Sequence, residues 1–504
     1  MKKIYITTPL YYVNDEPHIG HAYTTILADV LSKYYKGLGN DVLFLTGTDE
    51  HGQKVQEAAK KRNVSPQIHV DEYVKHFINT WNEMGIDYDC FIRTTDKEHK
   101  ETVKNILNLL WDKGDIYLDE YEGLYSVSEE RFITQKEADE GDFREIKKIK
   151  EKNYFFKMSK YQNDLIKHIN DNPTFILPKN RANEILGFLK NPLNDLCISR
   201  PKTRLEWGIE IPFNKNYVTY VWFDALINYI SGIGYRHENE KFTNYWPADF
   251  QLIGKDILTT HSVYWSTMLM ALNIKLPSTI FAHGWWLMEE TKMSKSLGNV
   301  IKPLDIAKDF GFDSLRYFLM RDMVLGQDAN FSYIKFIKRY NSDLANDYGN
   351  LINRVTMLIG KYFESKVPSY SEFDEIDLEL ISISKSTPKL VHEHFKSFRI
   401  HDAIETTLSM IRKINGYLEK REPWKLLKGD EDSIKIASNT LYVAIEVLRI
   451  GTQLLLPIMP KKCMKILSVL GSNPMLYKNL DFGTLKPGEE IGISNSPFPR
   501  ISIK

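Results

Sequence analysis

The sequence predicts an α/β fold on a parallel sheet, with an inserted connective domain in its middle and a C-terminal α-helical bundle after it. Three observations lead to this prediction. Apolar, β-rich segments alternate with helical segments over residues 3–112 and again from residue 217. The stretch between them is rich in tyrosine and carries a charged loop, and after Ser332 apolar residues recur with helical spacing. An alternation of this kind is typical of Rossmann-type sheets.

The first strand–helix–strand unit brings two groups of polar residues to one edge of the predicted sheet. A buried strand is predicted at Lys3–Val13, a helix from about His18 to Lys36, and a second strand at Asp41–Thr46. Asp49 follows that second strand closely. In parallel sheets ligands bind beyond the carboxyl ends of the strands. We therefore expect His18 and Asp49 to lie at one site.

The second half of the chain is predicted to complete the sheet and then to become helical. Strands are predicted at 217–224, 250–256 and 279–284. From Ser332 to about Leu485 we expect an amphipathic helical bundle, and a tail containing Pro, Gly and Ser follows it.

Composition limits the class of protein. With 504 residues the chain is too long for one hydrophobic core, so about three domains are expected. Its 66 basic residues balance its 66 acidic ones, so a nucleic-acid surface would have to be local. The three cysteines are far apart and form neither a disulfide framework nor a metal-ligand cluster. No secretory signal or apolar stretch of membrane-spanning length is evident, so we predict a cytoplasmic protein without a membrane partner.

A histidine pair stands at the predicted start of the first helix. His18 and His21 are three residues apart, hence on one face of the first turn. That end of a helix offers free N–H groups and a positive dipole, which suits a phosphate. Two imidazoles there can donate hydrogen bonds to an α-phosphate, and Gly20 lets a nucleotide approach closely. We predict that His18 and His21 are catalytic and that all three residues bind ATP.

A lysine-serine motif lies far along the chain. Lys292 and Lys295, three residues apart on a predicted loop, could close over β- and γ-phosphates and stabilise charge as pyrophosphate departs. A solvated basic loop is the alternative interpretation. We predict that both lysines are catalytic. The predicted ATP-binding residues of this motif are Lys292, Met293, Ser294, Lys295 and Ser296.

The two motifs together resemble the paired signatures of class I aminoacyl-tRNA synthetases, and other segments resemble methionyl-tRNA synthetases in particular. The segments that carry the second resemblance are Pro9–Asn14, Tyr220–Leu226, Gly254–Ile257 and His261–Trp265. The resemblance covers essentially the whole chain and implies an enzyme that uses ATP with Mg²⁺ to activate L-methionine as methionyl-adenylate. It also implies transfer of the methionyl group to the 3′ end of tRNA(Met), elongator and initiator, with release of AMP and pyrophosphate.

The resemblance also implies roles for individual residues. Asp49 would take the α-ammonium and Arg200 would pair with it and hold it ionised. Glu210, Gly254 and Asp256 would lie at the ATP. Apolar and aromatic walls suit a thioether, although plain core packing is the alternative for any one of them. The residues implied for the methionine side chain are Leu10, Tyr12, Val221, Trp222, Ala225, Leu226, Tyr229, Ile257, His261 and Trp265.

Two motifs in the helical region resemble the anticodon reader of that family. Asn350 and Arg354 lie one helical turn apart, where Asn can read a base edge and Arg can stack on a base. Pro423 and Trp424 follow a predicted helix, and an exposed Trp there would be a stacking platform. The alternative for Trp424 is an anchor between helices.

The sequence departs from the family in one place. Many members carry four-cysteine zinc knuckles in the insertion, whereas residues 116–160 contain no cysteine. We therefore predict no zinc and no other protein-held structural metal. Members that dimerise often use an additional C-terminal domain, and a chain ending soon after the bundle is predicted to be a monomer.

The resemblance divides the chain into six predicted parts. They are the first half of the Rossmann catalytic domain, 1–115; the connective insertion, 116–212; the second half of the catalytic domain, 213–290; the lysine loop and stem-contact segment, 291–345; the helical anticodon-binding domain, 346–485; and the tail, 486–504. The alternatives are another class I synthetase, a small-molecule adenylyltransferase and a catalytically inactive RNA-binding homologue. Isoleucyl, valyl and leucyl enzymes carry larger insertions, and cysteinyl enzymes bind zinc through side chains missing here.

Overall fold

The structure is a computed structural model that describes residues 1–126, 131–133, 138–139, 146–237, 240–288, 291–292 and 302–502. Its strands are β1 (Lys3–Tyr12), β2 (Asp41–Asp49), β3 (Cys90–Arg93), β4 (Ile116–Ser126), β5 (Arg131–Ile133), β6 (Ile146–Phe156), β7 (Ile176–Leu177), β8 (Leu196–Cys197), β9 (Ser199–Pro201), β10 (Glu210–Ile211), β11 (Asn214–Thr219), β12 (Phe250–Gly254), β13 (Ile280–His283), β14 (Trp286–Met288), β15 (Thr291–Lys292) and β16 (Ala329–Phe331).

Helices connect these strands and form most of the C-terminal part between residues 303 and 469. The α-helices are α1 (Ile19–Gly37), α2 (Gln53–Lys61), α3 (Pro66–Glu83), α4 (Lys97–Asp112), α5 (Gln162–Asp171), α6 (Lys179–Phe188), α7 (Val221–Leu226), α8 (Asn228–Ser231), α9 (Glu240–Tyr245), α10 (Ser266–Ala271), α11 (Pro303–Phe310), α12 (Phe312–Asp322), α13 (Tyr333–Arg339), α14 (Asn350–Tyr362), α15 (Glu375–Lys396), α16 (Ile400–Arg421), α17 (Pro423–Leu426), α18 (Glu431–Leu455) and α19 (Pro460–Val469). Two π-helical segments, Thr260–Trp265 and Tyr340–Gly349, precede α10 and α14.

A six-stranded parallel sheet forms the centre of the N-terminal part, in the order β3-β2-β1-β12-β13-β7. The chain runs outward from β1 to β3 on one side and from β12 to β13 on the other. The order therefore reverses between β1 and β12, and a crevice opens there beyond the carboxyl ends of both strands. This confirms the predicted Rossmann-type α/β fold.

Helix α1 follows β1 and is buried along most of its length. Apolar residues recur at the three- and four-residue spacing of a helix, including Ile19, Tyr23, Ile26 and Val30. Such a wide apolar surface fits a helix covered on several sides, here by the sheet and by α12. The prediction of a helix from about His18 to Lys36 is therefore correct to within one residue at each end.

The strand predicted at 217–224 is wrong in its second half. Strand β11 ends at Thr219 and belongs to a separate antiparallel sheet, β10-β11-β9, and α7 begins at Val221. A short continuous apolar run does not distinguish a strand from a buried helix, because neither periodicity develops over so few residues. As a helix, the segment places Val221 and Ala225 on one face, one turn apart.

The predicted insertion contributes to two sheets. Strands β4 and β6 pair antiparallel over their full length in a sheet of order β5-β4-β6-β8. Strand β7, from the same stretch of chain, instead pairs parallel with β13 and forms an edge of the main sheet. The insertion is thus joined to the main sheet by main-chain hydrogen bonds, which the sequence did not indicate.

The C-terminal helices form the predicted bundle and pack on the sheet domain. Helices α15, α16 and α18 contact one another. Tyr34 of α1 stacks on Phe395 of α15 with ring centroids 3.7 Å apart, and its hydroxyl lies 2.7 Å from His392 Nδ1. One hydrophobic core therefore runs from α1 into the bundle. Among the described helices, none has the length and apolarity needed to cross a membrane. Cys90, Cys197 and Cys463 are free thiols.

Candidate active site

The switch point between β1 and β12 brings several predicted site residues to one end of the sheet. Strand β1 leads through a short turn to His18, the N-cap of α1. Strand β12 ends at Gly254, two residues before Asp256. Strand β2, on the other side of β1, ends at Asp49, which pairs in register with Tyr12. These residues share an edge because all three strands are parallel.

The histidine pair is held by its own main chain. Nδ1 of His18 accepts a hydrogen bond of 3.0 Å from the N–H of Gly20, and Nδ1 of His21 accepts one of 3.4 Å from the N–H of His18. The two rings stack with centroids 3.7 Å apart. Because both Nδ1 atoms accept, the proton of each neutral ring lies on Nε2. Both rings thus present an N–H donor at the N-terminus of α1, where phosphate is favoured.

Gly20 is needed at this turn for a steric reason. A Cβ at this position would lie 2.9 Å from Cε1 and 3.1 Å from Nδ1 of His18. Any side chain would therefore push the His18 ring from its place above the helix terminus. The group that comes close to Gly20 in this structure is therefore the His18 ring, and the close approach of a nucleotide stays a prediction.

The lysine-serine motif is only partly within the described chain. Lys292 ends β15, which pairs antiparallel with β14, while Met293, Ser294, Lys295 and Ser296 lie outside the described residues. The flanks of the two motifs meet, since Nζ of Lys302 lies 2.7 Å from Oε2 of Glu16, just before His18. This ion pair ties the chain that follows the lysine motif to the turn that precedes the histidine motif.

A buried histidine joins α1 to the strand that leads to the lysine motif. His283, at the end of β13, lies with Nε2 2.7 Å from Oγ1 of Thr24 and with Nδ1 2.7 Å from the carbonyl of Gly284. Burial lowers the pKa of His283, so the ring is neutral at pH 7. The Nδ1 proton goes to the carbonyl, and Thr24 donates to Nε2. The first two turns of α1 are thereby fixed relative to β13.

Aromatic side chains line the side of the crevice formed by α7, α8 and the π-helical segment before α10. The hydroxyl of Tyr229 lies 2.7 Å from Nε2 of His261, and its ring lies 5.7 Å from that of Trp265. Tyr12 and Trp222 form an edge-to-face pair at 6.3 Å. Of the predicted methionine residues, the buried ones are Val221, Ala225, Leu226, Tyr229, His261 and Trp265, and the half-buried ones are Leu10, Tyr12, Trp222 and Ile257.

His261 is neutral and oriented. Its Nδ1 lies 2.9 Å from the carbonyl of Ile257, so the proton is on Nδ1 and Nε2 accepts from Tyr229. Burial lowers its pKa to about 4, against the opposing effects of the Ile257 carbonyl and Asp256. An uncharged imidazole in an aromatic wall is compatible with an apolar ligand.

The predicted ammonium site is buried. Asp49 and Arg200 are exposed by only 2% and 3%. The guanidinium of Arg200 donates 2.7 Å to the carbonyl of Ser199 and lies over the ring of Tyr220, 4.6 Å from its centroid. Burial places both groups in an environment of low polarity, where a charged partner is strongly favoured. The pairing of Arg200 with Asp49 stays a prediction.

The two carboxylates predicted at the ATP have different surroundings. Asp256 is exposed and accepts a hydrogen bond of 3.1 Å from Nε1 of Trp285. Glu210, on β10, is engaged by Lys202, which lowers its pKa. An ATP ribose at the switch point could therefore use Asp256 as it stands, whereas Glu210 would first have to share or release its lysine.

The predicted anticodon residues lie on the bundle. Asn350 is exposed at the start of α14, and Arg354 one turn later donates 2.6 Å to Oδ1 of Asn415. Pro423 begins α17 after Glu422, which has a positive φ of 47°. Trp424 is half-buried against the main core, so it is neither the fully exposed platform nor the fully buried anchor.

Comparison with known proteins decides the family. A family model described as tRNA synthetases class I (M) matches residues 4–140 and 141–356. The chain belongs to the class I methionyl-tRNA synthetases. Methionine–tRNA ligases of Caldanaerobacter subterraneus and Bacillus subtilis are 42% and 41% identical to it, over 100% and 99% of this chain and 80% and 78% of their own lengths.

Solved structures of methionyl-tRNA synthetases superpose on the whole chain. The Mycobacterium tuberculosis enzyme in complex with methionyl-adenylate matches with a TM-score of 0.95 and 38% identity, covering 99% of this chain and 100% of its own. Its apo form matches with a TM-score of 0.88 and 36% identity, covering 100% and 99%. The predicted family, fold and enzyme class are therefore confirmed, and the methionyl family is selected over the other class I synthetases.

The roles of individual residues and the absence of zinc stay predictions. Within the ranges described, no group of three or more His, Cys, Asp or Glu side chains is arranged to hold a metal ion. Residues 127–130, 134–137 and 140–145 of the insertion lie outside those ranges.

Sequence reasoning missed the side chains that hold this methionyl-tRNA synthetase site together. Thr24, His283, Glu16 and Lys302 form the links described above, and none of them belongs to a short motif. The only signal in the sequence was the position of His283 at the end of a predicted strand, because such positions face the crevice.

Proposed function

We propose that this chain activates methionine with ATP and transfers the methionyl group to the 3′ end of tRNA(Met), elongator and initiator. The observation that carries the proposal is the superposition of 99% of the chain on a methionyl-adenylate complex with a TM-score of 0.95. The apo form of the same enzyme fits less closely, at 0.88. The chain as a whole thus resembles the adenylate-bound enzyme more closely than the apo form.

The histidine pair would act on the α-phosphate. Nε2 of each ring carries the proton and is the donor atom, because both Nδ1 atoms accept from the main chain. As the methionine carboxylate attacks, negative charge shifts on the phosphate oxygens, and fixed donors stabilise that shift without reorganising. The bond to pyrophosphate then breaks on the opposite side of phosphorus. Gly20 keeps His18 in position for this.

The aromatic wall would hold the methionine side chain. Trp265, Tyr229 and Tyr12 offer polarisable ring edges to a thioether, and the neutral His261 adds no charge. Asp49, at the end of β2, would accept the α-ammonium. Bound in this way, methionine would direct its carboxylate toward the phosphate end of the crevice.

Lys292 and Lys295 would neutralise the departing pyrophosphate. The Lys302–Glu16 ion pair supports this role, since it brings the chain after the lysine motif against the turn before His18. Mg²⁺ prefers oxygen ligands and in nucleotide sites uses phosphate oxygens with one or two carboxylates. Asp15 in that turn offers such a carboxylate, whereas Glu16 would first have to share or release Lys302. When bound, Mg²⁺ would supply additional positive charge on the phosphates.

The bundle would read the anticodon through Asn350, Arg354, Pro423 and Trp424. The exposure of Asn350 and the partial exposure of Trp424 support contacts with unstacked bases. We further infer that the chain works as a monomer in the cytoplasm, where its three free thiols would remain reduced.

Pyrophosphate exchange into ATP, measured with each of the twenty amino acids, tests the proposal. Exchange should depend on methionine, with homocysteine a poor substrate. Leucine should be rejected by about 1–3 kcal/mol for each poorly matched group. A preference for any amino acid other than methionine would overturn the proposal.

A further inference from the structure

A buried carboxylate on α7 lies between the two parts of the predicted methionine site. These are the wall predicted to hold the side chain and the end of β2, which carries the predicted ammonium ligand Asp49. Asp224 has no exposed surface, and its Oδ2 lies 3.0 Å from Nδ1 of His51. Its Oδ1 lies 3.8 Å from Nε2 of His99, which is also fully buried. Burial alone would raise the pKa of Asp224, but the two imidazoles outweigh it and lower the pKa, so the group is ionised.

His51 connects this carboxylate to the end of β2. It stands two residues after Asp49, and the intervening Glu50 is fixed on its other side by Arg93, whose Nε lies 2.7 Å from Oε1 of Glu50. Nε1 of Trp207 donates to the carbonyl of Glu50, and its ring lies 5.5 Å from that of His51. The segment that follows Asp49 is therefore fixed on both sides, and Asp224 is its contact with α7.

The second imidazole connects Asp224 to the next helix. Nδ1 of His99 lies 2.8 Å from Oγ of Ser231, at the end of α8. Helix α8 carries Tyr229, and α7 carries Val221 and Ala225. Asp224 and its two histidines thus join α7 and α8 of the aromatic wall to the segment that follows β2.

Stability alone does not account for a charge at this place. Removing a carboxylate from water costs several kcal/mol, and a well-packed apolar residue of similar volume is often as stable as a buried ion pair. A hydrogen-bonded carboxylate does, however, fix the distance and orientation of its partners more narrowly than apolar packing. The geometry therefore favours a role in positioning.

We propose that Asp224 is a positioning residue for methionine: through His51 it holds the pocket wall on α7 in register with the strand end that carries Asp49. The inference rests on the proposed function. Asp224 does not contact the substrate in this role. It sets the separation between the group that binds the ammonium and the walls that bind the thioether.

The test measures methionine and ATP separately. In pyrophosphate exchange, Asp224→Asn should raise the KM for methionine about ten- to a hundred-fold, the usual range for a lost charged hydrogen bond. The KM for ATP should stay within about twofold, because the phosphate end is held by other contacts. Calorimetric titration with L-methionine alone should show the same loss of affinity.

Asp115→Asn is the matched control. Asp115 is also a buried aspartate, with Lys160 Nζ at 2.6 Å and the Tyr161 hydroxyl at 2.7 Å, but it lies directly before the insertion. This variant should lower the melting temperature and leave both KM values unchanged. An equal rise of both KM values in Asp224→Asn, or a lower melting temperature alone, would mean that Asp224 only supports the fold.

A double-mutant cycle tests the pair itself. If Asp224 acts through His51, then His51→Asn, Asp224→Asn and the double variant should share one methionine KM. Independent, multiplying losses would overturn the inference. If Asp224→Asn does not fold, the His51→Asn variant provides the test. A rise in its KM for methionine without a rise in its KM for ATP would support the inference, and an unchanged KM for methionine would overturn it. A wild-type protein that shows no exchange with methionine would refute the proposed function, whereas an active wild type with an unaffected His51→Asn variant would refute only the role of Asp224.

Discussion

The absence of a side chain at Gly20 leaves the space in which the His18 ring lies. Gly20→Ala places a Cβ within 2.9 Å of the His18 ring and should displace it. We expect adenylate formation to fall by about two orders of magnitude, as when one donor to developing charge is lost. Gly187→Ala is the control, because a Cβ there meets nothing within 4 Å on an exposed helix face. It should leave pyrophosphate exchange unchanged, and equal activity of the two variants would contradict the steric role of Gly20.

The neutral state of His261 makes the protein sensitive to acid. Its pKa is about 4 in the folded protein and 6.5 in the unfolded chain. Above the unfolded value neither state binds a proton, so the ring contributes nothing to pH dependence. Below it the unfolded state is protonated first, so stability falls as pH falls, by on the order of 3 kcal/mol at pH 4.

This contribution can be isolated with His261→Asn, which does not titrate. Urea unfolding midpoints of the wild type and the variant should converge, or cross, as the pH is lowered from 7 to about 4. A difference between the two midpoints that does not change with pH would show that His261 titrates in the folded protein as it does in the unfolded chain.

Spacing in the sequence shows which candidate site residues lie together only where the motif is local. His18 and His21 lie in one helical turn and were recognised from their spacing. His283 contacts Thr24 across 259 residues, and Asp224 contacts His51 across 173. No pattern in one sequence links such distant positions, because their proximity depends on the order of strands in the sheet.

At the scale of elements, α1 is fixed to the C-terminal part by a buried ion pair. NH2 of Arg316, on α12, lies 2.6 Å from Oδ2 of Asp29, and the same guanidinium donates to the carbonyls of Pro457 and Ile458. Arg316→Met leaves Asp29 with Lys33 as its remaining cationic partner and should cost about 3–5 kcal/mol. Urea unfolding measures this through a lower midpoint.

A surface ion pair provides the comparison for Arg316. Lys36 and Asp89 lie 3.2 Å apart with side chains exposed by 39% and 38%. Lys36→Met should change stability by less than about 1 kcal/mol, because exposed pairs contribute little. If both variants unfold at the same urea concentration, the Asp29–Arg316 pair does not hold α1 in place.

Elements with a clear apolar pattern were predictable, whereas elements of two or three residues were not. The periodicity of α1 extends over five turns and located that helix within a residue of its true ends. Strand β7 has two residues, too few for any periodicity, and its pairing with β13 depends on tertiary structure alone. The strand predicted at 217–224 was wrong in its second half for the same reason, because so short an apolar run fits the helix α7 as well as it fits a strand.

At the scale of the molecule, a substitution in the anticodon-binding bundle should lower tRNA charging without lowering adenylate formation. If Trp424 stacks on a base, Trp424→Ala removes about 1–3 kcal/mol and lowers tRNA charging by up to two orders of magnitude. Pyrophosphate exchange needs no tRNA and should survive. Leu426→Ala controls for packing, since Leu426 is half-buried against the same core. Equal loss of charging and exchange in Trp424→Ala would identify Trp424 as a core anchor.

Metal content is a further property of the whole chain. We expect no stoichiometric zinc, because residues 116–160 contain no cysteine. Chelators should leave the melting temperature unchanged. Elemental analysis that finds about one zinc per chain would contradict this expectation.

The strand order of the main sheet has a consequence for synthesis on the ribosome. β1 pairs with β2 as soon as residue 49 emerges, but its other neighbour, β12, begins only at residue 250. At roughly 5–20 residues per second, the second edge of β1 stays open for about ten to forty seconds. An open, apolar strand edge is a template for pairing with other chains. We therefore expect that nascent chains stalled between β2 and β12 aggregate unless a chaperone covers that edge.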